Sequence, residues 1–312
     1  MRVIAQLGAS SAQADLVRSV YPDVELVEFT GGDPPADLRA EAFFGGYLAW
    51  PDIVRWLDAA GVRWVQLAGT GIDNVPAEVF AGRTVTCARG ASEIPISEWV
   101  IAAILAWAKR FPETFLHQAP KYWNFPDPPL DRIEGSTVAL VGLGGIGAAV
   151  ATRALAFGMN VRAMRRTDAP SPVAGVEVVT SLRELLPGAD HVVLAAPATK
   201  RTRQLLDASA FALMTPGVHL VNIARGSLVD QDALRAALDD GTVAAATLDT
   251  VDPEPLPAGH WLYEHPKVRL TAHVSWYTPQ LQQVAVGQFV ENLGRFIRGE
   301  PLLYVVDIDE GY

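Results

Sequence analysis

The sequence predicts an α/β protein built from two doubly wound domains with parallel sheets. Three observations predict this. The chain has 312 residues, 50% of them apolar and 19% charged, too many for one average core and suited to two of ordinary size. Strand-like and helix-like segments alternate along most of the chain, the pattern of repeated β-α-β units. A G-x-G-x-x-G turn, Gly142-Leu143-Gly144-Gly145-Ile146-Gly147, lies between a predicted strand and a predicted helix, the context in which that motif carries meaning.

The elements follow in order. In the first hundred residues Val3–Leu7, Glu25–Phe29, Ala42–Phe44, Val65–Leu67 and Thr84–Cys87 read as strands. Ile96–Arg110 reads as a long, largely apolar helix that stops before Pro112. Pro120–Pro129 holds four prolines and reads as loop, because proline removes a helix donor and clashes with the preceding turn. Thr137–Val141 (TVALV) is a short apolar run of the kind a buried parallel strand requires. Ile146–Phe157 follows with helical spacing, then strands at Val161–Met164, His191–Ala195, His219–Asn222, Ala244–Leu248 and Val268–Leu270, with a helix at Gln231–Asp239. A last helix, Pro279–Arg298, ends at Gly299 and is followed by LLYVVD. That tail is expected to return to the first domain. The first domain would then be discontinuous, 1–98 with 283–312, and the second, 99–282, would be an insertion, with two connections acting as a hinge.

Composition narrows the function. The 35 acids and 25 bases give a net charge of −10, which repels phosphate backbones, so a nucleic-acid partner is not expected. A single cysteine, Cys87, excludes an internal disulfide and a multi-cysteine zinc site, and no metal is expected. The longest wholly apolar run, Trp99–Ala108, is too short to span a bilayer. The start, MRVIAQLGAS, reads as a first strand and not as a signal peptide. The expectation is a cytoplasmic protein with no membrane partner.

The glycine turn points to a dinucleotide. Gly142 permits the tight turn, Gly144 lets a pyrophosphate approach the backbone, and Gly147 lets the helix pack on the strand. Free N–H groups at Gly145 and Ile146 and the helix dipole favour the phosphates. The residue that reads the adenosine ribose should end the second strand, about twenty residues on, and NAD asks for an acid there. The chain has Arg165-Arg166-Thr167 instead, with no acid until Asp168. Two guanidiniums and a hydroxyl suit a 2′-phosphate. NADP(H) is therefore expected, with NAD(H) as the alternative.

Three further segments begin where predicted strands end: VNIARGSLVD (221–230), LDTVDPEPLP (248–257) and TAHVSW (271–276). That edge of an open sheet is where ligands bind. It brings Arg225, Glu254 and His273 to one place.

With AGTGIDN (68–74), the glycine turn and APATKRTRQLL (196–206), these segments resemble the D-isomer-specific 2-hydroxyacid dehydrogenase family, in order and spacing, over nearly the whole chain. The family includes glyoxylate/hydroxypyruvate reductases and phosphoglycerate dehydrogenases. The resemblance implies a discontinuous substrate domain and an inserted dinucleotide-binding domain, both Rossmann-like. It implies Arg225 as catalytic arginine, Glu254 as the acid and His273 as general acid/base. It implies substrate contacts at the N–H groups of Thr70 and Gly71. For the cofactor it implies Asp249 at the nicotinamide carboxamide and Ala196, Pro197 and Thr202 at the adenosine side. Ile223, Ala224 and Ser275, in the same strand-end segments, join the expected cofactor contacts, and Trp276 and Tyr47 join the expected substrate pocket.

The chemistry agrees with these residue types. Reducing a 2-keto acid puts hydride on the carbonyl carbon and a proton on its oxygen, which histidine gives near neutral pH. A carboxylate beside it favours the imidazolium, and an arginine pairs with the substrate carboxylate. Taken singly, an arginine after a strand ordinarily makes a surface ion pair, and His117, His191, His219, His260 and His265 read as structural. The sequence departs from the family at Ala272, where proline is usual, and at Thr250-Val251, where Val-Phe is usual. It ends soon after LLYVVD, so the regulatory domain of some phosphoglycerate dehydrogenases is not expected.

The expected function is an NADPH-dependent reductase of a small 2-keto acid, of the glyoxylate/hydroxypyruvate type. The alternatives are an NAD-dependent phosphoglycerate-type dehydrogenase and, from another class, a dinucleotide-sensing binding protein. A homodimer is expected from the resemblance, with Trp107–Pro129 in its interface.

Overall fold

A computed structural model describes residues 1–7, 11–46, 49–119, 123, 129–167 and 169–308. Its contacts divide the chain into two compact units, Met1–Ser92 with Tyr277–Tyr312, and Glu93–Trp276. Each holds a wholly parallel sheet.

In the first unit β1 (Arg2–Ala5), β2 (Glu25–Glu28), β3 (Ala42–Gly45), β4 (Trp64–Leu67) and β5 (Thr84–Thr86) lie in the order β2-β1-β3-β4-β5. The helices α1 (Ala12–Val20), α2 (Trp50–Ala60) and α3 (Ala77–Phe80) connect them. Ser11 caps α1 by accepting from the Ala14 N–H at 3.1 Å, which satisfies one donor the first turn leaves open. α2 starts with proline in its first turn and ends on Gly61 at φ 72°, the common arrangement of a helix stop. Its buried stripe, Ile53, Trp56, Leu57 and Ala60, packs on Phe43 and Val65 of the sheet. β3 and β4 are buried at every position, so both faces of the sheet are covered.

The second unit opens with α4 (Glu93–Ala108), an almost wholly apolar helix with Pro95 in its first turn. Its strands are β6 (Thr137–Val141), β7 (Asn160–Met164), β8 (Val176–Val179), β9 (His191–Leu194), β10 (Val218–Asn222), β11 (Val243–Leu248) and β12 (Val268–Leu270). Their order is β12-β11-β10-β9-β6-β7-β8. The order reverses at β6 and β9, which places the topological switch point at the glycine turn that follows β6. The helices are α5 (Gly145–Ala156), α6 (Leu182–Leu185), α7 (Ala208–Phe211) and α8 (Gln231–Asp240). One core face holds Val141, Leu194, Leu220, Leu234 and Leu238, and the other packs Val100, Ile104, Val150 and Ala154 against Leu140 and Val193. The edge strand β8 was not evident in the sequence: it is short, carries Glu177, and none of its residues is fully buried.

The chain then returns to the first unit as α9 (Pro279–Arg298), which Gly299 ends at φ 70°. Phe289 of α9 lies with its ring 4.8 Å from Phe44 and 5.5 Å from Trp64. The following segment adds to the edge of the first sheet, with Val306 N–H on Val85 O at 2.9 Å and Cys87 N–H on Tyr304 O at 3.1 Å. The unit boundaries at 92/93 and 276/277 precede the expected 98/99 and 282/283. The shift follows from α4, whose first turn already belongs with the second sheet, and from α9, which belongs whole to the first unit. No helix among the described residues is long and apolar enough to cross a membrane.

Candidate active site

The glycine turn forms a cradle at the end of β6. Gly142 has φ 105°, and a Cβ there would stand 2.8 Å from the Ala195 carbonyl oxygen, where the chain leaves β9. A Cβ at Gly147 would stand 2.3 Å from the Gly142 oxygen, so α5 approaches the turn as closely as only glycine allows. Around Gly144 nothing lies within 4 Å of a built Cβ. The first helical bond is Ala148 N–H to Gly144 O at 2.8 Å. The N–H groups of Gly145, Ile146 and Gly147 precede it and have no acceptor within the helix. Open space over Gly144 and unused donors at the start of α5 fit the pyrophosphate of a dinucleotide.

At the end of β7, Arg165 donates from Nη1 to Pro170 O at 2.7 Å and Ala169 O at 3.2 Å, so it holds its own loop in place. Arg166 and Thr167 are exposed. Asp168 lies outside the described residues. After β9, Ala196 is half-buried against the core and Pro197 exposed. Thr202 Oγ1 donates to Pro197 O at 2.7 Å, which closes that loop and marks Thr202 as its brace.

The three strand-end segments converge on one cluster. Arg225 follows β10 in extended backbone and caps a short 3-10 turn, Gly226–Leu228. A Cβ at Gly226 would stand 1.9 Å from Val251 C, so the backbone that follows β11 crosses directly over it. Asn222, buried at the end of β10, ties the two segments together. It donates to Arg225 O at 3.0 Å and across to Thr250 O at 3.5 Å, and accepts from Ala224 N–H at 3.0 Å. Ile223 and Ala224 are buried between them.

Glu254 accepts from Val251 N–H at 3.0 Å through one oxygen and meets His273 Nδ1 at 2.8 Å through the other. Both side chains are about a third exposed, 36% and 34%. Partial burial pushes the Glu254 carboxyl up, but the bonds from His273 and Val251 and the charges of His273 and Arg225 outweigh it and hold the group below its ordinary value. It is a carboxylate at neutral pH. With Nδ1 held by that carboxylate, Nε2 is the ring nitrogen left to exchange a proton.

His273 has φ 54°, a left-handed conformation that costs a non-glycine residue of order 1 kcal/mol. Asp249 holds it there. Asp249 is 1% exposed and takes Thr271 Oγ1 at 2.5 Å, Val274 N–H at 2.8 Å and Ser275 N–H at 3.0 Å, while its backbone oxygen accepts from His273 N–H. Trp276 donates from its indole to His273 O at 2.7 Å and packs on the core. The expected nicotinamide contact Asp249, cofactor contact Ser275 and pocket residue Trp276 are therefore all engaged in fixing the His273 loop. Asn222 and Gly226, which no motif count singled out, do the same for Arg225.

In the first unit Thr70 Oγ1 donates to Ala88 O at 3.0 Å. Among the described residues no backbone acceptor meets the N–H of Thr70 or Gly71. Tyr47 lies outside the described residues. No group of three or more histidine, cysteine, aspartate or glutamate side chains that could hold a metal ion occurs among the described residues.

The family model of the D-isomer specific 2-hydroxyacid dehydrogenase NAD-binding domain matches residues 101–275, within the second unit. The chain belongs to that family. It is 32% identical to a glyoxylate/hydroxypyruvate reductase A of Yersinia enterocolitica over 309 residues, 95% of this chain and 94% of that protein. It is 33% identical to a D-3-phosphoglycerate dehydrogenase of Bacillus subtilis over 251 residues, 79% of this chain and 47% of that protein. The chain thus matches about half the length of that relative. A D-isomer specific 2-hydroxyacid dehydrogenase of Xanthobacter autotrophicus, solved with NADPH and MES, superposes with a TM-score of 0.80 at 26% identity, covering 100% of this chain and 99% of that one. The family has two Rossmann-like domains, as the two parallel sheets do. Membership of a 2-hydroxyacid dehydrogenase family with an NAD-binding domain supports an oxidoreductase that uses a nicotinamide cofactor.

Proposed function

We propose that the protein reduces a small 2-keto acid to the D-2-hydroxy acid with NADPH, in the manner of glyoxylate/hydroxypyruvate reductases. The observation that carries the reaction is the His273–Glu254 pair at 2.8 Å, with Arg225 close enough for its charge to lower the Glu254 carboxyl. When bound, the nicotinamide supplies hydride to the carbonyl carbon. The turn from Gly142 to Gly147 would hold its pyrophosphate, and Arg166 and Thr167 would take a 2′-phosphate, with Arg165 shaping that loop. Arg225 pairs with the substrate carboxylate and polarises the keto group. His273 gives its Nε2 proton to the keto oxygen as the alkoxide forms, and ends neutral. Glu254 orients the ring by holding Nδ1. Thr70 and Gly71 offer N–H donors to a carboxylate. The similarity to a phosphoglycerate dehydrogenase, at nearly the same identity, favours a second reading with NAD and a phosphorylated substrate. We place the reaction in the cytoplasm and the enzyme in a homodimer.

The test is oxidation of NADPH and of NADH, side by side, against glyoxylate, hydroxypyruvate, pyruvate, phenylpyruvate and phosphohydroxypyruvate. A preference for NADPH with an unphosphorylated keto acid is expected. Arg166→Ala should cut that cofactor preference about tenfold or more, since each charged hydrogen bond is worth about 1.5–3 kcal/mol. NADH with phosphohydroxypyruvate would select the second reading, and binding without turnover of any keto acid would remove both.

A further inference from the structure

The glycine cradle has a carboxylate beside it. A Cβ built on Gly145 would stand 1.6 Å from Glu93 Oε1 and 2.3 Å from its carboxyl carbon, so the Glu93 carboxylate fills the volume that a side chain at 145 would take. Gly145 is the first residue of α5, next to the open space over Gly144. Glu93 is the first residue of α4, and the two helices share a core through Ile96, Val100, Val150 and Ala154. An ion pair between Glu98 and Arg153 at 3.6 Å adds to that fit. The base of the Glu93 side chain is therefore fixed by packing, and its carboxylate reaches the start of α5.

A carboxylate at the start of a helix is favourable for the same reason a phosphate is: both meet the positive end of the dipole and unsatisfied N–H groups. Two anions at one such end repel. We propose that Glu93 sets the affinity of the protein for its dinucleotide, by holding a carboxylate beside the pyrophosphate position, at the Gly145 end of the cradle, where the two anions repel when cofactor binds. This rests on the reading of the second unit as the cofactor-binding domain. The pyrophosphate is common to NADPH and NADH, so Glu93 tunes both alike, whereas Arg166 distinguishes them. Glycine at 145 is the matching half of the device, because any side chain there would push the carboxylate away.

The experiment is fluorescence titration of the full-length protein with NADPH and, separately, with NADH, for the wild type, Glu93→Gln and Glu93→Ala. Thermal melts without nucleotide accompany it to establish that each variant is folded. Both variants are expected to bind both cofactors about tenfold more tightly, by the same factor, with a melting temperature equal to or slightly below the wild type. A folded variant with unchanged or weaker binding overturns the proposal, weaker binding meaning that the carboxylate contacts the cofactor favourably. If the wild type bound neither nucleotide, the functional reading would fall together with this one. Binding by the wild type with no gain in the variants would remove this inference alone.

Discussion

The His273 ring has one nitrogen bonded to Glu254 and one free to serve a ligand, while its backbone is held at φ 54° by Asp249 and Trp276. Residues that act as a unit do not contribute additively to a rate. Glu254→Gln leaves the ring without the carboxylate that holds Nδ1, and His273→Ala removes the proton donor itself. Each single change is expected to lower kcat about 10²- to 10⁴-fold, the usual range for a general acid. The double variant should be no slower than the worse single one, because Glu254 acts only through His273. Single-turnover rates with saturating cofactor check this, and a multiplicative loss in the double variant would mean that Glu254 acts on substrate directly. The clustering of Arg225, Glu254 and His273 was legible because each follows a strand at the same edge of the sheet. The use of Asp249 was not. An aspartate after a strand gives no sign in sequence of the three donors that Asp249 takes from the neighbouring loop.

At the scale of elements, α9 shows what can and cannot be read from a pattern. Its bounds, Pro279–Arg298, follow from a proline in the first turn and a glycine at the stop. Its polar core contact does not follow from any periodicity. Asn292 is fully buried, gives its amide hydrogens to Gln66 Oε1 at 2.9 Å and Leu303 O at 3.0 Å, and accepts from Leu303 N–H at 2.8 Å. Thr86 Oγ1 donates to the same Gln66 oxygen and accepts from the Trp64 indole, so one network joins α9, β4, β5 and the segment after α9. Asn292→Leu would strip the half-buried N–H and oxygen of Leu303 of this partner and take one of two donors from Gln66 Oε1, a loss expected to cost about 2–3 kcal/mol. Gly287, five residues earlier, is exposed, and a Cβ there meets nothing within 4 Å. Gly287→Ala should stabilise the same helix by about 0.5–1 kcal/mol through backbone entropy. Urea unfolding of the two variants checks both signs. A neutral Asn292→Leu would mean that water takes over its bonds. The edge strand β8 and the short helices α6 and α7 were the least legible, since four residues give too little repeat to show a period.

Across the molecule, a histidine pair ties acid stability to the second sheet. His191 of β9 and His219 of β10 lie with their Nδ1 atoms 3.3 Å apart, and His219 Nε2 meets Thr247 Oγ1 of β11 at 2.8 Å. Trp107 of α4 covers His219, ring centres 5.5 Å apart. Burial pulls the His191 imidazole down to about 4, only partly opposed by Asp190. Burial also takes His219 well below its ordinary value, helped by His191 and Arg269. Both rings are neutral in the folded protein at neutral pH, which is the structural role expected of them from sequence. Below the ordinary histidine value of 6.5 the unfolded chain takes up a proton that folded His191 refuses until about 4. Stability is therefore full above pH 6.5 and falls as pH drops through that window, by about 3 kcal/mol for His191 alone at 1.36 kcal/mol per unit. Carboxylates held low, such as Glu254, lose their contribution only further into acid. His191→Gln keeps a polar partner for His219 without the titration. Urea midpoints measured from neutral pH to about pH 4.5 should decline steeply for the wild type and less for this variant. Parallel declines would show that the pair accepts a proton without opening the sheet, and the coupling of β9, β10 and β11 through their histidines would have to be abandoned.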